Sequence, residues 1–242
     1  MNSIDVLNLL DQKTEFMDSL SVVADMGCGK GQDSFWWSTR KDVDDKPRNL
    51  FVFSVDRLLQ IDNHYRHKNL RFVKEDYSNT TIAKNRVDTV WAYNSFQFST
   101  NPVKTLRHWW DIMNTNGLLS ISIPQTNYID DLSRWQMTNP SGVLWPHNMC
   151  SLIYLLAACG FDCAEGHFRQ KRHEDMIHLM AYKSEFRPMD LEDASLYLLD
   201  EMKLLPPSAS ACVKKFGMLR HEFLHLEWLD GTICDLAIES IP

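Results

Sequence analysis

The stretch Ser21 to Gly31, SVVADMGCGKG, constrains this chain more than any other. A short apolar run with β-branched residues leads straight into three glycines at alternate positions. That pattern reads as a buried strand running into a tight turn. Glycine there lets the backbone take positive φ, and lets a ligand approach the main chain with no Cβ in the way. The turn opens onto Gln32 to Arg40, QDSFWWSTR, which suits a helix. The N-terminus of a helix offers free N–H groups to anionic or electron-rich ligand atoms. Taken alone, the same loop also reads as a plain β–α turn with no ligand.

The rest of the chain repeats the alternation. LFVFSV ends at Asp56, LRFVKED ends at Asp76, VDTVWAY ends near Asn94 and LLSISI is closed by Pro124. Residues 4 to about 20, Arg57–Tyr65 and Pro102–Met113 suit helices, with Pro102 in the favoured first turn and Asn116-Gly117 as the stop. Continuous apolar strands between helices predict an α/β fold with a parallel sheet covered on both faces and right-handed crossovers. CSLIYLLAACG reads as a helix ending at Gly160, and FDCAEGHF and MIHLMAY as an antiparallel pair. Residues 1–186 are then one Rossmann-like domain. Within it, 124–147 lacks periodicity and is rich in aromatics, as a lid or binding loop would be. Residues 187–242 read as a C-terminal helical extension, broken at Pro206-Pro207.

Dinucleotide binding calls for G-x-G-x-x-G. Counted from Gly27, the third glycine position holds Gln32, so that pattern fails. The spacing present, D-x-G-x-G-x-G from Asp25, resembles motif I of the class I S-adenosylmethionine-dependent methyltransferases. The resemblance runs over about residues 5–185. It implies a seven-stranded, doubly wound, mostly parallel sheet of order 3-2-1-4-5-7-6 with strand 7 antiparallel, and S-adenosyl-L-methionine as cofactor. It also implies that Asp56 accepts both ribose hydroxyls, as a carboxylate with two acceptor oxygens can. Asp76 would stand near the adenine amino group, Tyr77 would flank the ring, and Ala92 to Gln97 would pass the methionine part. The cofactor set is therefore Asp25, Gly27, Cys28, Gly29, Gly31, Asp56, Arg57, Asp76, Tyr77 and Asn94. Asp56 lies 31 residues beyond Asp25, further than is usual, and the polar insert RKDVDDKPRN absorbs the difference as a surface loop.

Methyl transfer from a sulfonium needs an aligned acceptor and exclusion of water, and a base only where the acceptor keeps a proton. Asn94 and His147 are the catalytic candidates, with Gln97, Trp145 and His147 on the acceptor side; His147 reads equally as a helix cap or a surface residue. The lid aromatics Tyr128, Trp135 and Trp145 suit a small, partly apolar acceptor. The amino-methylating signature N-P-P-Y is absent, with Asn94-Ser95-Phe96-Gln97 in its place. Lys plus Arg number 25 against 32 Asp plus Glu, a net charge of −7, which argues against a polyanionic nucleic-acid partner.

Two other readings stand beside this one. His221-Glu222-Phe223-Leu224-His225 matches H-E-x-x-H, which on a helix would place two zinc ligands on one face, as in a metallopeptidase. Alternatively, the chain is a non-catalytic methyltransferase-like protein that binds a partner. The C-terminal stripes Leu196, Leu199, Met202, Leu205 and Phe216, Leu219, Phe223, Leu226 need a surface to pack on. The expectation is that they pack on the methyltransferase domain and help enclose the acceptor pocket or form a homodimer contact; the alternative is a helical cap with no part in function. Six cysteines without a CxxC pair read as free thiols, and no metal site is expected. Without a signal-peptide pattern or a membrane-length apolar run, the expected location is cytoplasmic.

Overall fold

The computed structural model describes residues 1–42, 44–58, 60–124, 147–171, 174 and 176–234. Its centre is β1 (Val22–Met26), buried along its whole length. β1 pairs in parallel with β2 (Phe51–Val55) on one side and β4 (Val87–Tyr93) on the other. β3 (Leu70–Val73) adds outside β2, and β5 (Met113–Pro124) outside β4. β7 (Met176–Lys183) runs antiparallel between β5 and the edge strand β6 (Phe161–Arg169). The order is β3-β2-β1-β4-β5-β7-β6, as expected.

The helices form where local signals allow. α1 (Ser3–Asp11) starts in a capping box of Asn2 and Asp5. α2 (Thr14–Ser19) follows after a break, so the expected single helix over 4–20 is two. α3 (Gln32–Ser38) leaves the glycine turn, with Gly31 as its left-handed cap. α4 (Pro102–Ile112) is capped by Asn101 and ends directly into β5, ahead of the expected stop at Asn116-Gly117. α5 (Met149–Ala158) is capped by Asn148 in a box with Ser151. The expected helix Arg57–Tyr65 is a correction: among the described residues there, only a 3₁₀ turn, Asn63–Tyr65, forms. The Asp56 side chain accepts from the Leu58 N–H (2.8 Å), a cap that no helix follows among the described residues.

Alternation along the strands divides the core between two faces. Val23, Val52, Trp91, Leu118 and Met180 face α1 and the buried Trp36 and Trp37 of α3. Val22, Ala24, Val55, Val90 and Ile121 face α4 and α5. Among the described residues, no helix is long and apolar enough to cross a membrane.

The C-terminal region packs into this same core. α6 (Leu196–Glu201) and α7 (Pro207–Phe216) contribute buried Leu199, Ala209 and Val213, with Leu204 and Leu205 between them. The Cys163 N–H donates to Leu204 O (3.0 Å), and the Phe168 N–H donates to Glu227 O (2.7 Å), so this region lies along the outer edge of β6. Its inner stripe is thus spent on the chain's own core. The second expected helix stops at Phe216, because Gly217 takes a left-handed C-cap (φ 70°). Leu219, Phe223 and Leu226 are therefore not on a helix with Phe216.

Candidate functional site

The glycine turn is built by converging backbone bonds. The Gly27 and Cys28 N–H groups both donate to Val55 O (2.8 and 3.0 Å), and the Gly31 N–H returns to Cys28 O (2.9 Å). Gly27 has φ +83°, and a Cβ there would stand 2.4 Å from Ser95 Cβ. Gly29 has φ +52° and nothing within 4 Å of an added Cβ, so its side faces open space. The two glycines are thus needed for different reasons: close approach at Gly27, and backbone conformation with access at Gly29.

Asp56, at the end of β2, spans the turn. One carboxylate oxygen accepts from the Gly29 N–H (3.1 Å), and the other from the Leu58 N–H (2.8 Å). Each oxygen keeps a further lone pair for a hydroxyl donor. At the end of β4, the Asn94 N–H donates to Ser122 O (2.7 Å), and its left-handed backbone (φ 51°) turns the chain outward. Gln97 Nε2 donates to Asn94 Oδ1 (2.6 Å) and fixes that side chain. Ser95 Oγ donates to Met26 O (2.5 Å), and the Tyr77 hydroxyl to Ser95 O (2.9 Å), joining the ends of β1, β3 and β4 into one wall.

These strand ends enclose a cavity of about 520 Å³ lined by Gly27, Gly29, Asp56, Arg57, Leu58, Tyr77, Asn94, Ser95 and Phe98. That size falls within the range of cofactor sites, and the position is the carboxyl edge of an open α/β sheet. Six of the expected cofactor residues line it: Gly27, Gly29, Asp56, Arg57, Tyr77 and Asn94. Ser95 falls in the Ala92–Gln97 segment expected near the methionine part, whereas Leu58 and Phe98 were not anticipated. Leu58, two residues beyond Asp56, is 71% exposed. Neither Leu58 nor Phe98 carried a signal in the sequence.

The other expected residues stand elsewhere. Asp25 is buried, accepts from Ser34 Oγ (2.5 Å) and neighbours Asp33. Burial first, and then the Asp33 charge, push its carboxyl up to about 8. Asp33 accepts from Ser3 Oγ (2.8 Å) and Trp91 Nε1 (2.9 Å), and burial raises it too. Asp25 therefore braces the turn from behind. Cys28 is buried, which drives its thiol well above the usual range, and Gly31 serves as the cap of α3. Asp76 accepts from the Ser78 N–H (2.9 Å) and pairs with Arg57 (3.7 Å). Its carboxyl is lowered because the Ser78 hydrogen bonds and the Arg57 and Lys104 charges outweigh its burial. It is not among the described residues lining the cavity. The Tyr77 ring packs on Trp109 (centroids 6.0 Å), and burial raises its hydroxyl. Gln97 is buried and, apart from its bond to Asn94, leaves Oε1 without a hydrogen-bond partner.

His147 is neither a cap nor a surface residue. Asn148 is the cap, and His147 is buried with its ring stacked on Phe96 (5.6 Å, 24°). Burial pushes it down to about 4. Trp145, Tyr128, Trp135 and nearly all of the expected lid 124–147 lie outside the described residues.

The H-E-x-x-H reading loses its geometry. His221–Phe223 is a 3₁₀ turn, and Leu224 is already extended, so His221 and His225 do not share a helical face. Among the described residues, no group of three His, Cys, Asp or Glu is placed to hold a metal ion.

Residues 24–121 match the family described as methyltransferase domain. No curated protein matches the sequence. Among solved structures, the fold is similar to the 1,6-didemethyltoxoflavin-N1-methyltransferase of Burkholderia thailandensis, which has 1,6-didemethyltoxoflavin and S-adenosylhomocysteine bound. The TM-score is 0.55 at 15% identity, over 74% of this chain and 77% of that one. It is similar also to the YcgJ protein of Bacillus subtilis (TM-score 0.58, 11% identity, 74% and 100% covered). A third similar structure is the [4+2]-cyclase SpnF (TM-score 0.52, 16% identity, 72% and 80% covered). At these identities the structural likeness concerns the fold, and the family match falls on the strands and turns that build the cavity.

Proposed function

We propose that this chain, a class I S-adenosylmethionine-dependent methyltransferase, methylates a small, partly apolar acceptor at an atom that offers its lone pair without first losing a proton. The observation that carries the reading is the Asp56 carboxylate, clamped by two backbone N–H groups and facing the cavity with acceptor capacity to spare.

The residues present fit the cofactor. Asp56 would take the ribose hydroxyls, and Gly27 and Gly29 would let the ligand lie against the turn. Leu58 and Phe98 would give the adenine ring apolar contact, and Asn94, held by Gln97, would meet the methionine part. S-adenosylmethionine, when bound, supplies a methyl group already activated on a sulfonium. The work left to the chain is to align, enclose and exclude water.

The acceptor class follows from what the cavity lacks. Its titratable lining residues, among those described, are Asp56, Arg57 and Tyr77. Asp56 is engaged with the turn, and the Tyr77 hydroxyl is raised by burial and bonded to Ser95 O. His147 is neutral at pH 7 and too weak a base to strip a reluctant proton. A neutral amine or ring nitrogen needs no such base. The net charge of −7 disfavours a polyanionic acceptor. One structural neighbour is named as the 1,6-didemethyltoxoflavin-N1-methyltransferase. Free thiols fit a reducing, cytoplasmic setting.

The test is titration of S-adenosylmethionine into the full chain by calorimetry, followed by S-adenosylhomocysteine release with a panel of ring-nitrogen heterocycles and a panel of phenols at pH 7. The expected result is cofactor binding, with turnover confined to the nitrogen acceptors. Absence of cofactor binding defeats the reading, and turnover of phenols alone defeats the acceptor class.

A further inference from the structure

In a parallel sheet, the connection between two strands ordinarily lays a helix over them. The connection from β3 to β4, residues 74–86, forms none. It crosses its face of the sheet as an irregular strap, anchored by buried Tyr77 and Ile82. The Thr81 N–H and hydroxyl, both donating to Glu75 (2.7 Å each), stiffen it further. A helix at this position would lie over β2 and β3. The strap instead leaves Phe51 partly open beside the buried Phe53, two residues away on the same face, with ring centroids 5.0 Å apart at 79°.

Between those rings and the strap lies a cavity of about 290 Å³, at the small end of ligand sites. Among the described residues, it shares no lining residue with the cofactor cavity. Arg71, the register partner of Phe53 on β3, projects onto the same face, its guanidinium 6.0 Å from the Phe53 ring centre. Arg86 closes the far side, its backbone fixed by the N–H bond to Ile112 O (2.7 Å). Both arginines are exposed, and among the described residues neither guanidinium makes a hydrogen bond or an ion pair. The strap's own acid, Glu75, is already spent on Thr81.

Two unpaired guanidinium forks beside a pair of aromatic rings have one matching chemistry. The forks take a carboxylate or phosphate bidentately, and the rings take a planar apolar body by edge-to-face or offset contact. We propose that this cavity is a binding site, separate from the cofactor cleft, for a small planar aromatic anion. The ring lies against Phe51 and Phe53, and the anionic group sits between Arg71 and Arg86. The volume admits one or two fused rings and little more.

The experiment uses the full chain and four probes: 2-naphthoate, 1-naphthyl phosphate, the neutral 2-naphthalenemethanol, and inorganic phosphate. Affinities are read by calorimetry and by nuclear magnetic resonance shifts. At least one aromatic anion should bind saturably, tenfold or more tighter than the neutral analogue and than inorganic phosphate. The tighter of the two identifies the anionic group as carboxylate or phosphate. Arg71→Gln with Arg86→Gln should weaken that binding at least tenfold and leave S-adenosylmethionine affinity unchanged; Phe53→Leu should weaken it less. The proposal is overturned if neither aromatic anion binds, if the neutral analogue or inorganic phosphate binds as well, or if the double arginine variant binds like the original. The probe comparison uses the unmodified protein, so it decides the matter even where a variant fails to fold.

Discussion

Asp25 and Asp56 end adjacent parallel strands, and their surroundings differ in kind. Asp25 is sealed: Ser34 holds its carboxyl, and Asp33 and the Trp91 indole close the space behind. Asp56 is open: two backbone N–H groups brace it, and the cavity lies in front. The glycines repeat the contrast. Gly27 lines the cavity too but packs against Ser95, where no Cβ fits, whereas Gly29 faces open space. The same residue type at the same kind of position serves as a brace in one strand and faces an open cavity in the next. What decides is whether α3 covers the strand end or the turn exposes it.

That contrast can be broken most forcefully at Gly27. Gly27→Ala forces a Cβ against Ser95 and an alanine into positive φ, so a stability loss of about 3 kcal/mol is expected by denaturant or thermal unfolding. A near-neutral result would mean that the packing against Ser95 yields easily. Asp56→Ala should act on the ligand instead. Cofactor binding by calorimetry should weaken by about 1.5–3 kcal/mol, while the unfolding free energy moves by about 0.5 kcal/mol or less. Equal losses in both would merge the two aspartates into one structural role.

A smaller effect follows from titration. Asp25 and Asp33 have folded-state pKa values raised above those of the unfolded chain. Their contribution to stability is therefore fully present below about pH 4 and is lost as pH rises through the folded values, toward about 8 for Asp25. Asp25→Asn removes that proton dependence and keeps a hydrogen-bonding group for Ser34. Its stability relative to the original should improve from pH 5 to pH 8, as read by melting temperature across that window. A constant difference would show that Asp25 titrates normally. The smallest effect is expected at Gly29→Ala, where only the φ of +52° is unfavourable, a loss of about 1 kcal/mol in unfolding free energy.

The strands were legible because buried parallel strands are continuous apolar runs, and the glycine turn was legible because little else places three glycines after such a run. Asp56 could be found from its place at a strand end. The burial of Asp25 could not, because it depends on Ser3, Asp33 and Trp91 arriving from three separate elements. The helix expected over Arg57–Tyr65 rested on a weak periodicity, and a 3₁₀ turn stands at its end among the described residues. HEFLH fitted a motif and even a helical stripe, yet the left-handed Gly217 ended the helix before it began. Phe98 was invisible as a site residue because nothing in a short polar-aromatic stretch says which side faces a cleft.

The bond from the Phe168 N–H to Glu227 O has a consequence in the order of synthesis. Strand β6 leaves the ribosome well before the segment that covers it. During that interval the nascent sheet carries an unsatisfied row of backbone groups at one margin, able to pair with any extended chain nearby. The late-made segment closes that window from within, so the hazard for this molecule is concentrated in the interval between the emergence of Arg169 and that of Glu227.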